Sequence, residues 1–271
     1  MSVDRAERPS AFSLARTAAE TPLVARLAAF LYAALTYVLF LGVFVYAIGF
    51  VGNFVVPKSI DSVATDPLGL ALAVNLALLG VFAVQHSVMA RPTFKRWWTR
   101  FVPEPVERAT YSLFSSLALI LLFWQWRPMG GLVWNIESEV LRGSMHVIYA
   151  AGWLVVLVST FLLNHFDLFG LRQAWLFLRG REYTHLSFAK PVFYRHVRHP
   201  LYLGWILVFW AAPTMSVGHL VFAAATTAYI LIAIQLEERN LVEHLGPDYA
   251  EYKRTTPMLL PLPGKRAQRA S

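Results

Sequence analysis

The chain has 271 residues and a mass of 30.6 kDa, with 57% hydrophobic side chains, 15% charged ones and a mean hydropathy of +0.49. Soluble domains carry about 25% charged residues, so a soluble globule, a disordered chain and a fibrous repeat are excluded. Cysteine is absent, which removes disulfide scaffolds, thiolate nucleophiles and cysteine metal clusters, and a net charge of +8 in so apolar a chain reads first as membrane topology and only then as nucleic-acid binding.

Residues 1–22 read as a cytoplasmic tail and not as a cleavable signal, because the apolar run behind them exceeds the roughly 7–15 residues of a signal core. A bilayer crossing needs about 17–25 apolar residues. Leu27 to Val56, Leu68 to Met89, Ala109 to Trp126 and Ser144 to Phe166 each meet that length. Leu201 to Leu236 is uncharged, too long for one crossing, and interrupted by Pro213 and Gly218. It is expected to form two short helices in a hairpin, giving six crossings. Residues 23–262 read as a single membrane domain and 263–271 as a disordered tail.

Charge tests this count. Of 24 Lys and Arg, only Lys58, Arg127 and Arg142 fall in the segments of one side, and the other 21 fall in the alternate segments. By the positive-inside rule both termini are cytoplasmic. The expected fold is an all-α integral membrane protein, a bundle of about five to six transmembrane helices ending in a helix-turn-helix hairpin.

Ionisable residues concentrate in the loop before the hairpin, which holds His165, His185, His196 and His199. In Arg198-His199-Pro200-Leu201-Tyr202-Leu203-Gly204, proline suits the first turn of a helix, so a helix is expected to start at Pro200 with His199 near its cap. Its unpaired N–H groups, with Arg195, Arg198 and His196 beside them, suit a carboxylate or phosphate. Gly204 removes a side chain where a ligand or a neighbouring helix comes close. For the arginines alone, positive-inside charge is the plainer explanation; the whole run reads as a site. Glu237 and Glu238 close the last apolar run on the same side and suit an ammonium or ribose hydroxyls. Adjacent helical positions point about 100° apart, so one of the two is expected to face a ligand and the other to pair with an arginine. His165 and Asp167 follow an apolar stretch, where ionisable groups are costly unless paired or functional. Asp167 is a partner for His165, His199 or Arg172. Asn75, Gln85, His86 and His146 read as helix–helix or interfacial residues. No metal site is expected, and neither GxGxxG nor a P-loop occurs.

Arg198-His199-Pro200-x-Tyr202-x-Gly204, a hairpin, Glu237-Glu238 and Gly246-Pro247-x-Tyr249-x-x-Tyr252 together resemble the integral-membrane methyltransferases that act on isoprenylcysteine carboxylates and phospholipid amines. Gln85-His86-Ser87 with Arg91-Pro92, and Glu107-Arg108-x-Thr110-Tyr111, resemble the NnrU-like family. With His165-Phe166-Asp167-Leu168-Phe169-Gly170-Leu171-Arg172-Gln173 and Trp210-Ala211-Ala212-Pro213-Thr214-Met215, nearly all of residues 23–262 resembles the bacterial methanethiol S-methyltransferases. That resemblance implies methyl transfer from S-adenosylmethionine to a small thiol at the cytoplasmic face of a bacterial inner membrane, giving dimethyl sulfide and S-adenosylhomocysteine. It implies a donor site at Tyr194, Arg195, His196, Arg198, His199, Pro200, Tyr202, Gly204, Glu237 and Glu238. Tyr202, Trp153 and Trp205 are candidates to face the sulfonium methyl, since cations sit well over aromatic rings.

The thiolate is the nucleophile, so a base is needed. His199 or His165, oriented by Asp167, is expected to fill that role, with Arg172 or Arg198 stabilising the thiolate. Phe166 and Phe169 are expected to close the pocket to lipids. The expected partners are the thiol and the lipid bilayer, without nucleic acid or a protein partner. Three rivals remain: a methyltransferase acting on a lipid, an NADPH-binding sterol-reductase-like enzyme, and a non-enzymatic NnrU-like accessory or transport protein.

Overall fold

The computed structural model describes residues 18–184 and 192–261. Most of both expected tails, together with His185 and Lys190-Pro191, lie outside the described residues. In chain order the elements are α1 (Leu23–Gly52), α2 (Leu68–Met89), α3 (Pro92–Trp98), α4 (Glu104–Gln125), strand β1 (Leu132–Asn135), α5 (Glu139–Leu162), the single turn α6 (His165–Leu168) and α7 (Leu171–Leu178). A 3-10 turn (Val192–Arg195), α8 (Pro200–Trp210), strand β2 (Thr214–Ser216), α9 (Val217–Leu245) and α10 (Pro247–Thr255) follow.

Five helices, α1, α2, α4, α5 and α9, are long and apolar enough to cross a membrane. Their outer faces carry large exposed hydrophobic side chains such as Leu35 and Val38 on α1, Leu70 on α2 and Leu154 on α5. Such a surface is stable only against lipid. Pro22, Pro67 and Pro103 precede α1, α2 and α4, and Asn53 ends α1 in the left-handed conformation. The apolar core runs through Phe50, Leu122, Trp126, Phe222 and Ile234.

The hairpin departs from the sequence expectation. Its arms are unequal: α8 has 11 residues and α9 has 29. At about 1.5 Å per residue α8 covers about 16 Å, roughly half of a ~30 Å hydrocarbon layer. Among the described residues there are therefore five full-length helices and one half-length helix instead of six crossings. Ala211-Ala212-Pro213 ends α8 early because β2 pairs antiparallel with β1 from the α4–α5 loop. The irregular backbone at this depth finds its partners inside the protein, as it must in a membrane. Trp134 Nε1 donates to the Ala212 carbonyl at 3.0 Å. The Asn75 side chain, two turns into α2, donates to the Arg127 carbonyl at 2.7 Å and accepts from its N–H at 2.8 Å.

Ser216 caps α9 by accepting the His219 N–H at 3.0 Å, and its hydroxyl donates to Asp61. Asp61 also accepts from Asn53 at 2.6 Å and lies 3.5 Å from buried His219. These bonds tie the α1–α2 loop to the hairpin turn. They hold the Asp61 carboxyl below its usual range although burial opposes this.

Helices α5 and α8 run antiparallel in direct backbone contact. A Cβ on Gly204 would lie 2.8–3.0 Å from Val156 and from the Gly152 carbonyl. The C-terminal end of α5 and the N-terminal end of α8 therefore lie at one end of the bundle, with the α2–α4 connection and α10. That end carries the candidate site.

Candidate active site

Proline at the first position sets the start of α8, and His199 is its cap residue. The chain beyond α10 returns alongside: the Arg198 and His199 N–H groups donate to the carbonyls of Pro257 and Met258 at 2.9 and 3.1 Å. Gly246, at φ +61, allows the turn that folds α10 back. Around this mouth a buried charge cluster forms. Arg198 Nε donates to Glu238 Oε1 at 2.7 Å, His199 Nε2 lies 3.0 Å from the same oxygen, and Lys253 Nζ lies 3.0 Å from Oε2. Arg198 also donates to the carbonyls of Lys253, at 2.9 Å, and Thr256. Glu238 is 1% exposed and Arg198 9%. Charges this deeply buried persist only when paired and hydrogen-bonded.

The neighbouring acid behaves differently. Glu237 is exposed, and its Oε2 accepts from the Tyr202 hydroxyl at 3.0 Å. The two acids thus divide as adjacent helical positions should: Glu238 takes the arginine and Glu237 keeps an open carboxylate. Tyr202 stands 5.5 Å from the His199 ring and within electrostatic range of the phenols of Tyr111 and Tyr229.

The Tyr202 neighbourhood extends into α2 and α4 through residues not assigned to the site from sequence. Tyr229 and Ser87 share a hydrogen bond at 3.0 Å. His86 meets the Tyr111 hydroxyl at 2.9 Å and Ser115 at 3.3 Å, and stacks on Phe82. The signal available in the sequence was the polar triplet Gln85-His86-Ser87 in an apolar run. The helix–helix role expected of His86 is the one observed.

His165 and Asp167 form a second cluster. Asn164, at φ +67, breaks the chain after α5 so that α6 turns inward. His165 stacks on Phe161 with centroids 4.4 Å apart. Its Nδ1 lies 2.8 Å from Thr160 Oγ1 and its Nε2 2.7 Å from the Tyr37 hydroxyl. Thr160 gives its only hydroxyl proton to the Leu157 carbonyl at 2.7 Å, so His165 Nδ1–H is the donor and Nε2 accepts from Tyr37. That neutral tautomer agrees with burial lowering the His165 pKa. Asp167 accepts from Arg172 at 2.8 Å and from Tyr183 at 3.1 Å. Arg172 in turn holds Thr184 through its carbonyl at 3.0 Å and its hydroxyl at 2.6 Å. Asp167 therefore orients Arg172, and the expectation that it orients His165 or His199 is corrected. Burial and the nearby Asp167 charge push the Tyr183 phenol up.

The remaining expected residues are spread around the same end. Tyr194 and Arg195 lie on the 3-10 turn, with Arg195 and His196 exposed. The Tyr194 carbonyl accepts from the Tyr252 hydroxyl, whose pKa burial pushes up to about 12. Gly204 faces the α5 backbone, so of its two expected uses the structure shows helix packing. Trp153 and Trp205 meet edge to face at 5.2 Å within the aromatic core, and Phe44 packs on Trp153 at 5.0 Å. Phe169 stacks on Phe40 at 3.9 Å.

No family model matches the chain, and no solved structure does. Curated proteins do. It is 56% identical over 237 residues to the methanethiol S-methyltransferase of Crocosphaera subtropica, covering 88% of this chain and 93% of that protein. It is 53% identical over 233 residues to that of Mycobacterium tuberculosis, covering 86% and 96%. The chain belongs to the methanethiol S-methyltransferase family. A distant relative lies outside it: Nurim of Xenopus laevis is 28% identical over 188 residues, 66% of each chain. The two methanethiol S-methyltransferase relatives are matched over 93% and 96% of their own lengths.

Proposed function

We propose that this chain transfers a methyl group from S-adenosylmethionine to methanethiol, giving dimethyl sulfide and S-adenosylhomocysteine. The observation that carries this reading is the identity above 50% to methanethiol S-methyltransferases over most of both chains. We also propose that the Arg-rich end of the bundle faces the cytoplasm of a bacterial inner membrane, where the donor is available. The charge distribution supports that orientation.

The residues present suit such a donor. Glu237 offers an exposed carboxylate, braced by Tyr202, to an ammonium or ribose hydroxyl. The buried Ser159 hydroxyl, near the C-terminal end of α5, has no hydrogen-bond partner among the described residues. A leftover buried donor is a feature that a polar ligand resolves. Arg198 and Glu238 act on the frame of the site: each is occupied by the other, and together they hold the start of α8 against the end of α9. Tyr194, Arg195 and His196 border this mouth, and Pro200 with His199 sets its helix start.

The donor supplies an electrophilic methyl on a sulfonium. The acceptor sulfur forms the new S–C bond, the old S–C bond breaks, and its electron pair stays on the departing sulfur as a neutral thioether. The thiol proton must leave first, because an alkyl thiol near the cysteine value of about 8.5 is mostly protonated at neutral pH. His199 is the better base of the two histidines. Glu238 holds its Nε2–H, which leaves the Nδ1 lone pair for the proton. His165 has both nitrogens engaged. Arg172, fixed by Asp167, supplies positive charge at the same end of the bundle.

The test is purified protein in detergent given S-adenosylmethionine and methanethiol, with gas chromatography of the headspace. Dimethyl sulfide formed at a rate proportional to enzyme is expected. Its absence, with S-adenosylmethionine left unconsumed, overturns the reading.

A further inference from the structure

At the same end of the bundle as the hairpin mouth, a groove of about 450 Å³ opens between the last turn of α2 and α3, lined by Ser87, Val88, Arg91, Thr93, Phe94 and Trp97. This volume lies within the roughly 300–1,000 Å³ of small-molecule sites. Its outer wall is lipid-facing: Val88 is 44% exposed and Trp97 47%. Its inner end is polar. Ser87 there shares its hydroxyl with Tyr229 of α9 at 3.0 Å, about two turns before Glu237 on the same helix, where Glu237 accepts from Tyr202. One hydroxyl pair therefore joins the wall of a groove open to the bilayer to the helix that carries Glu237.

The walls of the groove decide what it suits. Val88, Phe94 and Trp97 make most of the wall apolar, and against it a small neutral molecule loses hydration at less cost than a charged nucleoside. A neutral one-carbon thiol and its thioether product are small and apolar, and both enter hydrocarbon readily. We propose that methanethiol reaches the site, and dimethyl sulfide leaves it, sideways through the bilayer by this groove, with the Ser87–Tyr229 hydrogen bond as the partition that opens. This rests on the thiol-acceptor reading above. Donor and acceptor then share the Arg-rich end but not the opening: the charged donor enters from its aqueous face, and the volatile acceptor enters past the exposed apolar wall of the groove.

The absence of native cysteine makes the test clean. Val88→Cys places a single thiol on the groove wall, and a maleimide carrying a benzyl group attaches there as a stable thioether plug. Val45→Cys, on the exposed face of α1, is the control. Two readouts are taken. Dimethyl sulfide in excess is expected to slow maleimide attachment at Val88→Cys and not at Val45→Cys, with no donor present. The plugged Val88→Cys is expected to lose at least tenfold in kcat/KM for methanethiol relative to its unplugged form, while the calorimetric Kd for S-adenosylmethionine is unchanged. Plugged Val45→Cys keeps its turnover. Undiminished kcat/KM in the plugged Val88→Cys protein overturns the route whether or not attachment is slowed, and leaves the groove as a seat for a lipid chain. If wild-type protein forms no dimethyl sulfide, the thiol reading itself has failed and the route falls with it.

Discussion

Arg198 Nε and Glu238 Oε1, forty positions apart in the chain, meet at 2.7 Å in a pocket that exposes almost none of either side chain. The pair joins the second residue before α8 to α9, and Lys253 and His199 complete it. Removing one partner of a buried pair leaves the other charge without compensation, at a cost of about 3–5 kcal/mol. Glu238→Ala is therefore expected to destabilise the folded protein by that amount, seen as a lower Tm in detergent. An unchanged Tm would mean that the hairpin mouth is held by something else.

Glu237 predicts the opposite behaviour. Its carboxylate is exposed and bonded to Tyr202 alone in the described structure, so Glu237→Gln is expected to leave Tm within about a degree of wild type. If it holds the donor, the loss of a charge-assisted hydrogen bond, worth about 1.5–3 kcal/mol, raises the Kd for S-adenosylmethionine by roughly 10- to 100-fold. Calorimetric titration measures this directly, and an unaltered Kd removes Glu237 from the donor site.

The contact between α5 and α8 gives a third expectation. A methyl at Gly204 would sit 2.8 Å from Val156 Cγ2 and 2.9 Å from its backbone nitrogen. Neither helix yields without moving backbone. Alanine gains up to about 1 kcal/mol in helix propensity over glycine, but overpacking costs about 1–3 kcal/mol, so Gly204→Ala is expected to lower stability on balance. Because α8 carries Tyr202 on its first turn, the shift should also reduce turnover. Thermal unfolding alongside the headspace assay checks both effects.

Much of this architecture can be read from hydropathy, since an uncharged stretch of bilayer length has few other folds open to it. Hydropathy alone gives the second helix its observed bounds, Leu68 to Met89. It starts the first helix four residues late, because the true start is set by Pro22 and includes Arg26, whose guanidinium reaches the Leu178 carbonyl at 3.3 Å. Hydropathy registers that arginine as an end and not as a snorkelling side chain. The unequal hairpin was not legible, because α8 is cut short by a strand pairing with Leu132–Asn135 across the bundle. At the site, residue types were legible and partners were not. Charge at the two ends of a hairpin implies that one of Glu237 and Glu238 pairs with an arginine; that the pair is Glu238 with Arg198 is decided by packing. The bonds of His165 to Tyr37 and of Ser87 to Tyr229 span 128 and 142 positions, and only packing chooses them.

His165 shows what such a partner choice does to titration. Its Nδ1–H is given to Thr160, and its Nε2 accepts from Tyr37. Burial holds its folded pKa below the ordinary value of about 6.5. Between the lowered folded value and about pH 6.5 the unfolded chain binds the extra proton, so stability rises with pH in that window. The contribution is fully present above about pH 6.5 and is lost as pH falls through the folded value, when protonated Nε2 no longer accepts from Tyr37. Tm measured from pH 5 to 8 is expected to fall on the acid side in wild type and to fall less steeply in His165→Gln, which cannot protonate. Equal acid slopes in the two proteins would show that His165 is not held in the neutral form described.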